Sequence, residues 1–387
     1  MPGNNRILVV TPALSGGGWI SLEEPINEGA EKFNFTVAGL GPVRQKARKY
    51  ALYRLPYFDY AKTCEMLASI PSLNFLYNFP LIVMASFLML ARRPRIVVGN
   101  GFFSGYAVAF LAKILGARVV ISYHGCFEYY LGSGSSKIVQ VLSKMVDEIF
   151  VNSEGSRKDV LTVISPMNTK VITINHWAHN AFFSSKEIDR LSLREKNGLT
   201  NKFVILYVGD MTREKLVPML LDVIEKLKNY DDFSEIQTIF VGTGELVGSV
   251  KKLEKQYKNI QYLGYVGNRE KLSELYSVAD LVWSFGDTTY LARPAVEGLA
   301  SGTPIIIPDV SAVTNKALHN VKIGLDLVPP EIGWLIDGSD SEGVSKLLIK
   351  IKRGKLITPN MRAFCREYAK KNHSTKNMQA FIYAMDE

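Results

Sequence analysis

Short apolar, β-branched runs alternate along this chain with longer stretches of helical period, the pattern of repeated βα units around parallel sheets. In the first half the runs are Arg6-Ile-Leu-Val-Val, Arg95-Ile-Val-Val-Gly, Arg118-Val-Val-Ile-Ser, Glu148-Ile-Phe-Val-Asn and Lys170-Val-Ile-Thr-Ile. Residues 105–115 between two of them read as a helix closed by Gly116. In the second half the runs begin at Phe203, Gln237, Ile260, Leu281 and Pro304, with helices expected over 216–229, 269–279 and 361–371. A polar stretch rich in Ser, Lys, Glu and Asn, residues 184–200, separates the halves and reads as a linker. The pattern predicts an α/β protein of two Rossmann-like, doubly wound domains facing across a cleft. The first is 1–183 and the second 201–365, with a tail, 366–387, packing back toward the first. The longest apolar run, 79–91, is too short to cross a bilayer alone. It has too few polar residues for a hydrophilic face and is expected to be a buried helix.

Composition adds bounds. With 47% hydrophobic and 21% charged residues in 387, the chain has ample apolar mass for two cores. Cys64, Cys126 and Cys365 are widely spaced and form no CxxC pair, which argues against a disulfide framework or a zinc site. The start reaches a polar Thr11 too soon for a signal-peptide core, so a cytoplasmic location is expected. The net charge of +9 is local: residues 32–127 hold twelve Lys or Arg against Asp59 and Glu65. Within that span Arg44, Lys46, Arg48, Lys49 and Arg54 are interleaved with tyrosines, a composition suited to anionic lipid head groups. No nucleic-acid-binding motif accompanies the charge, so nucleic acid is not expected as a partner.

The candidate chemistry sits at strand ends. Thr11-Pro-Ala-Leu-Ser-Gly16-Gly17-Gly18 follows the first strand, where glycines let backbone approach an anion; the spacing is neither a dinucleotide fingerprint nor a Walker loop. Val208-Gly209-Asp-Met-Thr-Arg213-Glu-Lys215 and Val241-Gly242-Thr-Gly follow two strands of the second half. Arg293-Pro-Ala-Val-Glu297-Gly-Leu-Ala-Ser-Gly-Thr-Pro leads into a third. A Lys as point charge and a carboxylate for two ribose hydroxyls suit a nucleoside diphosphate. His176 and His179, flanking Trp177, lack metal-ligand spacing and read as structural.

Taken in order, these blocks, with His124-Gly125, Asn152-Ser153-Glu154, Leu263-Gly264 and Ala279-Asp280, resemble the retaining GT-B glycosyltransferases of the bacterial mannosyltransferase and sucrose-synthase type, over nearly the whole chain. The resemblance implies sugar transfer from a nucleotide-sugar donor, with retention, to a glycan or lipid-linked acceptor. It implies no metal and no cofactor beyond that substrate. Glu297 would hold the ribose, Lys215 the diphosphate, and Gly16 with Gly17 the diphosphate from the other domain, while His124 would lie beside the transferred sugar. Gly18, Gly209, Arg213, Gly242, Thr288, Tyr290, Leu291 and Arg293 complete the implied donor site. Two positions depart from the family pattern: Thr289 stands where a Glu is usual, and Asp210 where an Arg is usual. Asp287 is then the candidate substitute carboxylate, and Arg213 and Arg293 the substitute cations. Because of these departures, a catalytically impaired partner subunit and a GT-B-like nucleotide-sugar epimerase stay open as alternatives. So does the oligomeric state. The location implied is cytoplasmic and peripheral at the inner membrane face.

Overall fold

The computed structural model describes residues 5–14, 16–41, 48–55, 71–123, 140–164, 169–184, 187–213, 215–284, 291–309 and 328–386. The chain divides into two compact units, 1–175 with 378–387, and 176–377.

The first unit is built on a seven-stranded sheet in the order β3-β2-β1-β4-β5-β6-β7. Its strands are β1 (Arg6–Thr11), β2 (Asn34–Leu40), β3 (Ala51–Leu55), β4 (Ile96–Asn100), β5 (Arg118–Tyr123), β6 (Glu148–Val151) and β7 (Lys170–Thr173). Every pairing is parallel, Val9 lying between Val37 and Val98. The order reverses between β1 and β4, so the crevice that such sheets offer to ligands opens beyond Thr11 and Asn100. Helices α1 (Gly16–Glu28), α2 (Pro71–Arg92), α3 (Phe102–Ile114) and α4 (Glu154–Val163) follow their strands.

Leu8, Val10, Ala38, Val97, Val119 and Ile121 form one core with Ala85, Leu88 and Met89 of α2 and Ala109 and Ala112 of α3. The α3 backbone lies close to the sheet because Gly99 faces Gly105, where a Cβ on Gly99 would come within 2.2 Å of the Gly105 Cα. The expected helix over 105–115 thus begins one turn earlier, and Gly116 ends it with φ +75°.

The second unit holds a six-stranded parallel sheet, β10-β9-β8-β11-β12-β13, that reverses between β8 and β11. Its strands are β8 (Phe203–Val208), β9 (Ile236–Val241), β10 (Ile260–Tyr262), β11 (Leu281–Trp283), β12 (Ile305–Asp309) and β13 (Gly333–Asp337). Its helices are α5 (Asn180–Phe183), α6 (Glu187–Lys196), α7 (Val217–Leu227), α8 (Val247–Gln256), α9 (Arg269–Val278), α10 (Arg293–Ala300), α11 (Ser341–Arg353) and α12 (Pro359–Asn372). A last helix, α13 (Lys376–Ala384), carries the chain to the first unit. There Phe381 meets Phe150 edge-on at 5.1 Å, and the Arg118 guanidinium donates to the Ala384 carbonyl at 2.7 Å.

Three expectations are corrected. The segment 184–200 is not a linker: α6 lies in it, and the Arg194 guanidinium donates to the carbonyls of Val278 (2.6 Å) and Leu199 (2.8 Å) and to Asp280 (3.0 Å). Those bonds fasten it to the second unit in spite of its polar composition. The apolar runs predict no strand between Thr11 and Arg95, yet β2 and β3 lie there. Ala and Gly in β2, and the single-sided burial of an edge strand in β3, leave little periodic signal. The helix over 79–91 is not buried all round, because Phe79, Val83, Phe87 and Leu90 are exposed.

Candidate functional site

At the reversal of the second sheet the loops after β8 and β9 are laid one on the other. Gly209 N–H donates to the Val241 carbonyl (3.0 Å), Met211 N–H to the Thr243 carbonyl (2.7 Å), and Leu246 N–H to the Met211 carbonyl (3.0 Å). Gly242 makes this possible: its φ is +134°, and a Cβ there would sit 1.9 Å from the Gly209 carbonyl oxygen. The Tyr207 hydroxyl donates to the Asp210 carbonyl (2.7 Å), and Arg213 N–H donates to the Glu245 carboxylate (3.1 Å). Thr212 accepts from Lys215 N–H (3.3 Å), and Leu216 enters α7 in the left-handed region at φ 48°. Lys215 is half-buried and Arg213 exposed, so two cations stand at the end of the central strand.

Beyond β11 the chain reaches α10, which carries Arg293 and Glu297. Glu297 is buried, and its carboxylate accepts from the Tyr276 hydroxyl at 2.9 Å. Arg293 Nε lies 3.6 Å from the other carboxylate oxygen. Tyr276 is itself fully buried on α9, edge-on to Phe182 at 5.7 Å. Burial first, and then the Glu297 charge, push the Tyr276 hydroxyl well above its ordinary pKa. It therefore stays a donor at any working pH. The outcome is an oriented carboxylate and two cations at one edge of one sheet, the edge where such sheets take ligands.

The other expected donor residues are less uniform. The Leu291 side chain is buried in the second-unit core beside Ala295 and Val296, which leaves only its backbone to face a ligand. Asp287, Thr288, Thr289, Tyr290 and His124 lie outside the described residues, as do Arg44 and Lys46. Gly16, Gly17 and Gly18 form the first turn of α1 after β1. Arg48 and Arg54 are exposed, Arg54 on edge strand β3, while Lys49 lies 3.8 Å from Glu31 and its N–H donates to Asn27.

Several quoted motifs are architectural. Ser153 caps α4, accepting from Ser156 N–H (2.9 Å), and Asn152 accepts from the Ser156 hydroxyl (2.9 Å). Asp280 accepts from Arg190 (2.5 Å), Arg194 (3.0 Å) and Arg362 (3.1 Å) at the end of β11 away from the site. His373 Nδ1–H donates to the His176 carbonyl (2.8 Å), and His179 caps α5, as the structural reading of His176 and His179 expects.

Two features escape a reading of the sequence. Tyr276 carries no motif, since its role depends on α9 and α10 lying side by side. In the first unit, Asn100 donates to the Thr11 hydroxyl (2.9 Å) across the β1/β4 reversal, and Gly101 follows at φ +85°. A Gly directly after a strand, as at 209 and 242, is the signal that could have found it.

Residues 189–372 match the family described as Glycosyl transferases group 1. Among curated proteins it is 24% identical over 225 residues to the O-antigen biosynthesis glycosyltransferase WbnH of Escherichia coli, an alignment that covers 58% of this chain and 60% of that protein. It is 27% identical over 290 residues to the UDP-N-acetylglucosamine--N-acetylmuramyl-(pentapeptide) pyrophosphoryl-undecaprenol N-acetylglucosamine transferase of Pediococcus pentosaceus, covering 72% of this chain and 70% of that one. The chain thus spans about three fifths of the length of the E. coli relative. Among solved structures it is similar to Anabaena Alr3699/HepE in complex with UDP (TM-score 0.71, 16% identity, 98% of each chain). It is also similar to sucrose-phosphate synthase from Thermosynechococcus elongatus (TM-score 0.73, 15% identity, 98% and 97% of the two chains). The fold is GT-B.

Proposed function

We propose that this protein is a retaining, metal-independent glycosyltransferase that moves a sugar from a nucleotide-sugar donor to a glycan or lipid-linked acceptor. The observation that carries the reading is the buried Glu297, oriented by Tyr276, on the sheet edge that also bears Lys215 and Arg213. A carboxylate held in this way accepts the two ribose hydroxyls of the donor. Lys215, with Arg213, meets the diphosphate as point charges. The same cations and the N–H groups at the start of α10 offset the charge that grows on the departing nucleoside diphosphate, the role a divalent cation plays elsewhere. Asp210 places an anion beside them, so the reading assigns the balance of charge to Arg213 and Lys215 rather than to the family's usual Arg. Support for the donor class comes from the likeness to HepE, whose structures hold UDP and UDP-glucose.

The acceptor is assigned to the first unit, and the basic residues Arg48, Lys49 and Arg54, with Arg44 and Lys46, to the side that faces an anionic membrane from the cytoplasm. The test is a melting screen against UDP-, GDP- and ADP-sugars, since a ligand at a hundred times its Kd stabilises by about 2.7 kcal/mol. Turnover of the stabilising donor is then followed with chelator present, and the anomeric configuration of the product is read by NMR. Nucleoside diphosphate release that survives chelation, with retained configuration, is expected. Inversion, dependence on a metal, or stabilisation by none of the donors contradicts the reading.

A further inference from the structure

The outer face of α2 is largely apolar, with the half-buried Ser86 the one polar residue on its arc among the described residues. Phe79, Val83, Phe87 and Leu90 lie within one arc of the helix and are 51%, 52%, 70% and 51% exposed, opposite the buried Leu81, Ala85, Leu88 and Met89. Next to it, α3 exposes Phe110 and Ile114, each 65%. The two helices pack on each other and share one core, and both turn apolar side chains outward. A patch of this kind marks an interaction site.

Charge identifies the occupant. Residues 66–127 contain Arg92, Arg93, Arg95, Lys113 and Arg118 and no Asp or Glu. Arg93 and Lys113 are exposed at the C-terminal ends of α2 and α3, Arg92 lies over the Tyr53 ring, and Lys113 meets Asp147 at 2.5 Å. A second copy of this chain seated on the same face would bring like charges together. An anionic lipid surface offers both an apolar interior and phosphates, each cation near it contributing about 1 kcal/mol. Among the described residues no helix is long and apolar enough to cross a membrane.

We propose that the α2/α3 face docks in the plane of an anionic bilayer, with Phe79, Phe87 and Phe110 entering the acyl boundary and Arg93 and Lys113 meeting lipid phosphates. The proposal rests on the membrane part of the functional reading, but it assigns the contact to α2 and α3 instead of the basic residues around β3.

Co-sedimentation with phosphatidylcholine vesicles, with and without phosphatidylglycerol, tests it. The wild type is expected to sediment with the anionic vesicles and to retain part of that binding at high salt, because the apolar share is unscreened. The Val83→Glu/Phe87→Glu variant changes only exposed positions, so an unchanged melting temperature certifies its fold; its partitioning is expected to fall about tenfold or more. The Lys49→Glu/Arg54→Glu variant is expected to bind nearly as the wild type does. Undiminished binding by Val83→Glu/Phe87→Glu overturns the proposal. If Lys49→Glu/Arg54→Glu alone abolishes binding, the membrane reading survives with the basic span as the contact. No wild-type binding to either vesicle overturns both. A wild-type dimer that Val83→Glu/Phe87→Glu converts to monomer in sedimentation velocity also overturns the proposal, because the face then joins two copies. Stabilisation by nucleotide, measured on every variant, reports separately on the donor reading.

Discussion

Glu297 and Tyr276 show how a buried carboxylate is held in one orientation, as the proposed ribose contact requires. A carboxylate taken out of water costs free energy unless it is paired, and here a tyrosine hydroxyl and the nearby Arg293 supply the pairing. The hydroxyl fixes one carboxylate oxygen, which lowers the ordering cost of binding a ribose. Tyr276→Phe removes that donor and leaves the acid in place. It is expected to cost about 2 kcal/mol in urea unfolding, the range for a hydrogen bond to a charged group, and to weaken nucleotide binding. A variant that unfolds like the wild type would remove Tyr276 from its supporting role.

His373 gives a second residue-scale outcome. Burial pushes its pKa down to about 4 from the ordinary 6.5, and its Nδ1–H is committed to the His176 carbonyl. The unfolded chain therefore binds this proton more readily than the folded one. The stability the neutral ring contributes is complete above pH 6.5 and is lost as pH falls toward 4, about 3 kcal/mol in all. Replacing His373 with Asn should flatten that part of the stability-against-pH curve, and an unchanged slope would contradict the assignment. The place of Glu297 on a helix after β11 was legible in the sequence from an ordered block. Tyr276 and His373 were not, because their roles come from neighbours distant along the chain.

Among the elements, legibility followed periodicity. Strands such as β1, β4 and β8 are continuous β-branched runs buried on both faces, a pattern few other structures share. In β2, by contrast, Ala and Gly dilute the run, and β13 is five residues of mixed character, so neither announced itself. The helix α6 was hidden by its polarity, since what holds it is a set of guanidinium bonds. Asp280 is the hub of that set, joining α6 through Arg190 and Arg194 to α12 through Arg362, and accepting from Val204 N–H at 2.8 Å. Asp280→Ala strands three guanidinium groups, two of which are almost wholly buried. The expected loss is about 3 to 5 kcal/mol in denaturant unfolding, with the exchange of α6 amides accelerated most. A loss below about 1 kcal/mol would show that the hub is not what fixes α6.

At the scale of the molecule, two sheets of related order serve different ends. The second presents an oriented carboxylate and cations at its reversal, whereas the first carries the positive charge of the chain and a largely apolar helix face. The net +9 thus belongs to the first unit, with residues 32–127 alone holding twelve cations against two acids. That uneven charge was legible in the sequence. The exposed face of α2 was not, because a helix with too few polar residues for a hydrophilic face reads as a core helix until its neighbours are placed.

The proposed donor role requires that the second unit bind a nucleoside diphosphate through Glu297 and Lys215. Calorimetric titration of the wild type, Glu297→Ala and Lys215→Ala with UDP and with uridine tests it most directly, with GDP and ADP run in parallel. One of the three nucleoside diphosphates should bind the wild type. Glu297→Ala should weaken both that diphosphate and its nucleoside by about tenfold or more, and Lys215→Ala should weaken the diphosphate while leaving the nucleoside unchanged. Wild-type affinity in folded Glu297→Ala, equal losses for diphosphate and nucleoside in Lys215→Ala, or binding of none of the three would contradict it.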